Sequence, residues 1–108
     1  DHADAVEAMN KRHGPLYSAN VIPKSVYPGM ARDATNATVW NVLVANAAMS
    51  DDVAYTIVKT VFERKPELVA VHKEFGTLSL DYQTNGASAL PFHPGAIRYF
   101  AEKGLKLQ

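Results

Sequence analysis

The side chains in this sequence that could hold a metal are its four histidines, because the chain contains no cysteine. They lie at His2, His13, His72 and His93, and no two of them are four residues apart. An HExxH pair on one helix face, which catalytic zinc sites use, is therefore absent. The simpler interpretation is one terminal, one helix-end, one helix-surface and one helix-entry histidine. We expect no metal and no cofactor, and the missing cysteines exclude thiol catalysis and disulfides.

Nucleophilic catalysis would depend on the serines, which are Ser18, Ser25, Ser50, Ser79 and Ser88. No G-x-S-x-G elbow surrounds any of them, and the sequence contains no P-loop and no G-x-G-x-x-G phosphate loop. No spacing places two carboxylates together, as a glycosidase site requires. A small hydrolase remains an alternative that needs one of these serines hydrogen-bonded to a histidine in a cleft.

The third chemical feature is the segment Tyr27-Pro28-Gly29, which predicts a type II turn. It combines an aromatic ring, a hydroxyl and backbone N–H groups exposed by a tight turn, and small-molecule sites use such groups. An ordinary packed loop has the same composition, so both interpretations stay open. As a binding site, it would use the hydroxyl or ring of Tyr27 and the backbone of Gly29 and Met30.

A run of apolar residues, Thr38–Ala45, predicts a strand that is apolar on both faces except at Asn41. Such a strand is normally covered on both faces. Asn41 would cap a local backbone group or, as a lesser binding candidate, face a ligand. The chain offers one other strand, Leu16–Ile22, and two strands do not make an independently stable sheet.

The remaining elements predicted from periodicity, capping residues and turn signals are mostly helical. They are a helix at Asp4–His13, a loop at Lys24–Asn36, a helix from Ser50 or Asp51 to about Arg64, a second helix at Glu67–Phe75 that ends near Gly76, a turn of helix within Thr77–Tyr82, a turn at Asn85-Gly86, and a helix at Pro94–Lys103 stopped by Gly104.

Composition narrows the class of protein. The 108 residues carry eleven basic and eleven acidic side chains, so no net positive charge is present to hold a nucleic acid. The longest apolar run is far shorter than a bilayer span. The sequence begins at Asp1 and passes directly into a helical pattern, and we expect a processed or truncated chain, or a fragment.

Several segments, in this order and spacing, resemble the C-terminal part of the TAXI-family solute receptors of TRAP transporters. The resemblance extends from about Gly14 to Leu105. It rests on Ile22-Pro23, Val26-Tyr27-Pro28-Gly29, Thr38-Val39-Trp40-Asn41-Val42-Leu43-Val44, Asp51-Asp52-Val53-Ala54-Tyr55, Ile57-Val58-Lys59-Thr60-Val61-Phe62-Glu63 and His93-Pro94-Gly95-Ala96-Ile97-Arg98-Tyr99-Phe100-Ala101-Glu102-Lys103-Gly104.

The resemblance implies an α/β fold class: a fragment of a type II periplasmic-binding-protein fold, helix-rich with two or three strands. Residues 1–37 would end the second lobe, 38–46 would be the strand that returns to the first lobe, and 50–108 would be helices packing on that lobe. It implies a periplasmic, non-enzymatic receptor for a small organic acid or amino acid such as glutamate or 2-oxoglutarate. Most ligand contacts would lie in an N-terminal part.

The partners implied by the resemblance are the solute and the TRAP transporter membrane subunits, and the balanced charge already excludes nucleic acid as a partner. As an isolated fragment, the chain would bury its open strand edge in a strand-swapped homo-oligomer. The alternative to a receptor, besides the small hydrolase, is a small interaction module that uses this strand edge to bind an extended peptide.

Overall fold

A computed structural model describes residues 3–84, Gly86 and residues 88–108. In this part of the chain the elements are α1 (Ala3–His13), β1 (Ser18–Ile22), β2 (Ala34–Thr38), α2 (Asp51–Glu63), α3 (Lys65–Val71), two 3-10 turns (Lys73–Thr77 and Leu80–Tyr82) and α4 (Pro94–Glu102). Four helices and a two-stranded sheet among the described residues confirm the predicted helix-rich α/β class. The turn predicted at Asn85-Gly86 falls on Asn85, which lies outside the described residues.

The chain divides into two compact units. The first comprises Asp1–Val42 with Gly86–Ala89, and the second comprises Leu43–Asn85 with Leu90–Gln108. Each unit has its own architecture, and the assignment of segments to receptor lobes stays a prediction.

The first unit is a helix against an antiparallel hairpin. β1 and β2 pair from Ser18 opposite Thr38 to Ile22 opposite Ala34. The connecting loop is tied at its base, where the backbone N–H of Lys24 donates to Asp33 Oδ1 at 2.8 Å. α1 contacts both strands and buries Val6, which is 6% exposed. The helix predicted at Asp4–His13 is confirmed.

A side chain determines where β1 begins. Asn10, in α1, donates from Nδ2 to the carbonyl of Tyr17 at 2.8 Å and accepts from the Tyr17 N–H at 2.9 Å. Both backbone groups of Tyr17 are therefore bonded to one amide, which imitates a neighbouring strand. β1 starts at the next residue, Ser18, and not at Leu16 as the sequence pattern predicted.

The strand predicted at Thr38–Ala45 is wrong for this chain. Only Thr38 belongs to a strand, and the residues from 39 to 45 are exposed and have no regular secondary structure. The ladder register would place Val39 opposite Tyr17, whose backbone groups Asn10 already holds. Because a strand needs a neighbour to bond its N–H and C=O groups, pairing moves back to Ala34–Thr38, which begins inside the loop predicted at Lys24–Asn36.

The second unit packs α2 against α4. The predicted start of α2 is confirmed, because the Ser50 hydroxyl accepts from the Val53 N–H at 3.3 Å and two acidic residues occupy the first turn. The predicted α4 is also confirmed. His93 caps its N-terminus, and Gly104, at φ +85°, ends it. Bonds from Gly104 N–H and Leu105 N–H to carbonyls of the last turn complete a Schellman motif.

The helix predicted at Glu67–Phe75 is wrong in its bounds. Pro66 lies in the first turn of α3, where its missing N–H costs nothing, so the helix starts earlier. It ends at Val71 because His72 is extended, and the His72 ring caps a separate 3-10 turn by accepting from the Glu74 N–H at 3.3 Å. The predicted turn of helix within Thr77–Tyr82 is the 3-10 turn at Leu80–Tyr82.

Aromatic rings form the core of the second unit. Tyr99 and Phe100 of α4 are 2% and 3% exposed, and Phe62 of α2 lies against both, with ring centroids 5.8 and 5.6 Å away. Phe62 meets Phe100 edge-on and Tyr99 at a tilt, and aromatic pairs at such distances add about 0.5–1.5 kcal/mol beyond the burial of their area. Tyr55, Val58, Leu80, Phe92, Leu105 and Leu107 complete the cluster.

The two helices approach most closely at Gly95. A Cβ atom added there would lie 2.7 Å from the backbone nitrogen of Tyr55 and 2.9 Å from Cβ of Ala54, and closer still to the Asp51 carbonyl oxygen. The absence of a side chain at Gly95 is therefore a condition for this packing.

We expect Gly95→Ala to lower the free energy of unfolding by about 2–3 kcal/mol, because the methyl group would meet backbone atoms that cannot move aside. Gly76→Ala is the matched control, since an added Cβ at Gly76 meets nothing within 4 Å. Urea unfolding followed by circular dichroism would measure both. Equal stability of the two variants would contradict the close approach.

Candidate functional site

The aromatic turn predicted to bind a ligand lies in the loop that joins β1 to β2. The Met30 N–H donates to the Tyr27 carbonyl at 3.4 Å, and Gly29 has φ +87°. A bond from the fourth residue to the first and a positive φ at the third residue are the features of the predicted type II turn. Gly29 meets that requirement without the strain that a side chain would bring.

The turn presents its chemical groups to solvent. The Tyr27 side chain is 59% exposed, Gly29 is exposed and Met30 is half-buried. The structure thus brings Tyr27, Gly29 and Met30 together on one surface loop. An exposed ring beside a turn can stack on a solute and orient it by its hydroxyl.

Asn41, the fourth candidate, lies elsewhere in the first unit. It belongs to the exposed segment after β2, and no hydrogen bond among the described residues connects it to the turn. The interpretation of Asn41 as a polar side chain in a buried strand is therefore wrong for this chain, because the segment is neither buried nor a strand.

A cleft at the end of the same loop escaped the sequence analysis. It has a volume of about 60 Å³ and is lined by Arg32, Asp33, Ala34 and Thr35. Thr35 was assigned to a loop because β2 was expected further along the chain. The signal in the sequence that could have indicated this cleft is the cation Arg32, three residues after Gly29.

The histidines of the described chain have structural roles. The His93 side chain is 14% exposed and joins the starts of two helices. Its Nδ1 accepts from the Gly95 N–H at 3.2 Å, and its Nε2 donates to the Met49 carbonyl at 3.0 Å. His72 caps a 3-10 turn, and His13 lies in the last turn of α1. His2 lies outside the described residues.

Three of the serines are bonded to groups other than histidine. The hydroxyls of Ser18, Ser50 and Ser79 accept from Trp40 Nε1, the Val53 N–H and the Asp81 N–H, respectively. Among the described residues, no group of three or more His, Asp and Glu side chains is placed to hold a metal ion. No helix of the described chain is long and apolar enough to cross a membrane.

A polar cluster lies on the surface of the α2–α4 pair. The Tyr55 hydroxyl donates to Glu102 Oε2 at 2.9 Å, and the Arg98 guanidinium lies 4.3 Å from the Tyr55 ring centroid. Arg98 also pairs with Asp52 at 2.9 Å. The hydrogen bond to Glu102, followed by desolvation, raises the pKa of Tyr55 above its ordinary 10.0. Burial, followed by the charge of Glu63, raises the pKa of Tyr99.

These shifts predict that alkaline pH destabilises the second unit. Above pH 10 the unfolded chain loses tyrosine protons that the folded chain retains, so the free energy of unfolding falls as pH rises further. Below pH 10 both tyrosines are protonated in the folded and the unfolded chain, so their contribution to the free energy of unfolding is fully present. Denaturant unfolding between pH 8 and about 11 would measure the slope.

Glu102→Gln is the control variant for this prediction. It keeps an oxygen acceptor for the Tyr55 hydroxyl but removes the negative charge, and we expect a shallower alkaline slope. An unchanged slope in Glu102→Gln would contradict the assigned cause.

The described chain combines one unit with a helix and a hairpin and one helical unit, and this mixed α/β content is consistent with a fragment of a periplasmic-binding-protein fold. A sequence profile of the NMT1-like family matches residues 2–104, and the chain belongs to that family. It is a family of periplasmic solute-binding proteins related to the receptors of TRAP and ABC transporters, and its members are usually extracytoplasmic. The family match supports the predicted resemblance to periplasmic solute receptors.

Proposed function

We propose that the chain is part of an extracytoplasmic receptor that delivers a solute to a TRAP-type secondary transporter, as in the TAXI family. The match to a solute-binding family over residues 2–104 carries this proposal. The receptor acts in the periplasm, binds the transporter membrane subunits when loaded, and catalyses no reaction. The structural roles of His93 and His72 in the described chain agree with a binding protein.

The proposed solute is a small organic anion or an amino acid, such as 2-oxoglutarate or glutamate. The proposed contacts are the Tyr27 ring or hydroxyl and the backbone of Gly29 and Met30, with Asn41 as a lesser contact. The exposure of Tyr27 and the open backbone of the turn support this assignment. Further contacts come from the N-terminal part of the full-length receptor.

We expect glutamate or 2-oxoglutarate to raise the melting temperature of the full-length receptor. Binding at about 100 times Kd stabilises the folded state by roughly 2.7 kcal/mol. Tyr27→Phe should weaken affinity about 3- to 10-fold if the hydroxyl donates to the solute, and leave it unchanged if only the ring stacks.

Tyr17→Phe is the matched control for this experiment, because Tyr17 is held to Asn10 through its backbone and not through its hydroxyl. Calorimetric titration would supply the dissociation constants. No stabilisation by any small organic acid or amino acid would overturn the receptor proposal.

The exposed apolar surface supports the proposed division into lobes. Residues 1–37 end the second lobe, residues 38–46 return to the sheet of the first lobe, and residues 50–108 pack on that lobe. In the described chain Leu43 is 77% and Val44 62% exposed, and on α2 Val53 and Ile57 are 50% and 38% exposed. Because apolar side chains gain about 25 cal/mol per Å² when removed from water, such a surface favours a further layer of protein.

Amide hydrogen exchange tests this division. In the full-length receptor we expect the amides of residues 39–45 to exchange slowly, because a sheet would bond them, and in the 108-residue chain to exchange fast when it is monomeric. At micromolar concentration we expect light scattering to give the 108-residue chain a mass above that of a monomer, through strand pairing between copies.

Fast exchange at residues 39–45 in the full-length receptor would contradict the return strand. A rigid monomer of the 108-residue chain would contradict strand pairing between copies. The exposed segment also favours a second candidate, an interaction module. Capture of one defined extended peptide by this chain would support that candidate.

A further inference from the structure

We infer that Arg32 and Thr35 form a subsite for a carboxylate group of the solute, at the end of the loop that carries Tyr27. The inference rests on the proposed receptor function and goes further by assigning the solute's charge to particular side chains. It depends on the cleft that Arg32 and Thr35 help to line, on the lack of a hydrogen-bond partner for either side chain among the described residues, and on the position of the cleft in the loop that carries the turn.

The cleft has the size and lining of an anion subsite. Its volume of about 60 Å³ has room for a carboxylate group or a few water molecules. The residues that line it are a cationic one, a hydroxyl-bearing one, an acidic one and an alanine, namely Arg32, Thr35, Asp33 and Ala34. Arg32 supplies a planar fork of N–H donors, which matches the two oxygens of a carboxylate.

The guanidinium of Arg32 is available for a ligand. It forms no ion pair or hydrogen bond with any described residue, whereas Arg64 and Arg98 pair with Glu67 and Asp52. The nearest acid in sequence, Asp33, uses Oδ1 to accept the Lys24 N–H at 2.8 Å, which fixes it at the base of the loop. A carboxylate that ties the backbone in this way leaves Arg32 unpaired.

Thr35 provides a fixed donor beside that cation. It is half-buried in β2, where it stands opposite Val21 in the hairpin. The ladder holds its backbone, and its hydroxyl makes no hydrogen bond within the described part of the chain. A donor on a strand is placed more firmly than one on a loop. Together the two side chains offer charged and neutral donors to one anionic group.

The subsite lies on the same loop as the proposed ring contact. Arg32 follows Met30 by two residues, so their Cα atoms are at most about 7 Å apart. One loop therefore carries the aromatic ring, the glycine backbone and the cation. Asp33 lines the same cleft, and its negative charge opposes an anion there, so the subsite depends on the charge of Arg32.

The test is titration of the full-length receptor with glutamate, glutamine and 2-oxoglutarate, in the wild type and four variants. Arg32→Gln should weaken the binding of glutamate and 2-oxoglutarate about 10- to 100-fold, as the loss of a charged hydrogen bond does. Arg32→Lys should recover part of that loss, because it keeps the charge without the fork. Thr35→Val should weaken binding about 3- to 10-fold.

Lys24→Gln is the matched control, since it removes one positive charge from the same loop while the Lys24 backbone bond remains. It should change affinity less than about 3-fold. A loss of the preference for glutamate over glutamine in Arg32→Gln places the side-chain carboxylate at the subsite. An equal loss for both places the α-carboxylate there, and either result supports the inference.

Two failures are distinguishable in this experiment. A wild-type receptor that binds the acids while Arg32→Gln binds as tightly as Lys24→Gln overturns the subsite and leaves the receptor function standing. A wild-type receptor that binds none of the solutes overturns the proposed function, and the subsite with it. Melting temperatures of the variants without solute show that each is folded, since Arg32 is exposed.

Discussion

The packing of α2 on α4 depends on the close approach of the two helices at Gly95. Without a side chain there, the start of α4 reaches the backbone of α2, and Tyr99 and Phe100 meet Phe62. His93 fixes the same end, because its ring bonds both the first turn of α4 and the Met49 carbonyl just before α2. The aromatic core of the second unit follows from these two constraints.

In the first unit, one amide side chain has a comparable effect. Asn10 bonds the Tyr17 backbone, and the ladder of the described sheet ends where Ser18 stands opposite Thr38. The loop between the strands, in contrast, is held by its own contacts. Asp33 bonds the Lys24 N–H at its base, and Gly29 adopts the positive φ that its turn requires. This loop holds the proposed binding groups on a fixed backbone. The segment after β2, in contrast, lacks a paired strand in the described chain and has no regular secondary structure.

The sequence predicted what local chemistry decides. Caps at Ser50 and Gly104 and the turn at Pro28-Gly29 are set by short-range hydrogen bonds and φ preferences, and all three are confirmed. The strand predicted to begin at Thr38 is wrong, because an apolar pattern shows only that the segment favours burial. Burial and strand pairing both require an adjacent element of structure, which the pattern does not supply. The cleft at Arg32 and Thr35 was missed for a related reason, since it depends on where β2 starts.

The uncharged stretch that comprises β2 and the segment after it also affects how the protein folds. From Ala34 to Ser50 the sequence contains no charged side chain. Its exposed valines and leucine have no charged neighbours to discourage pairing with other chains. In the proposed two-lobe receptor, the sheet of the first lobe is complete only after this segment, which comes late in the sequence, has paired with it. Long-range pairing of that kind is slow, so the stretch would face solvent longest during folding, when self-association competes most strongly.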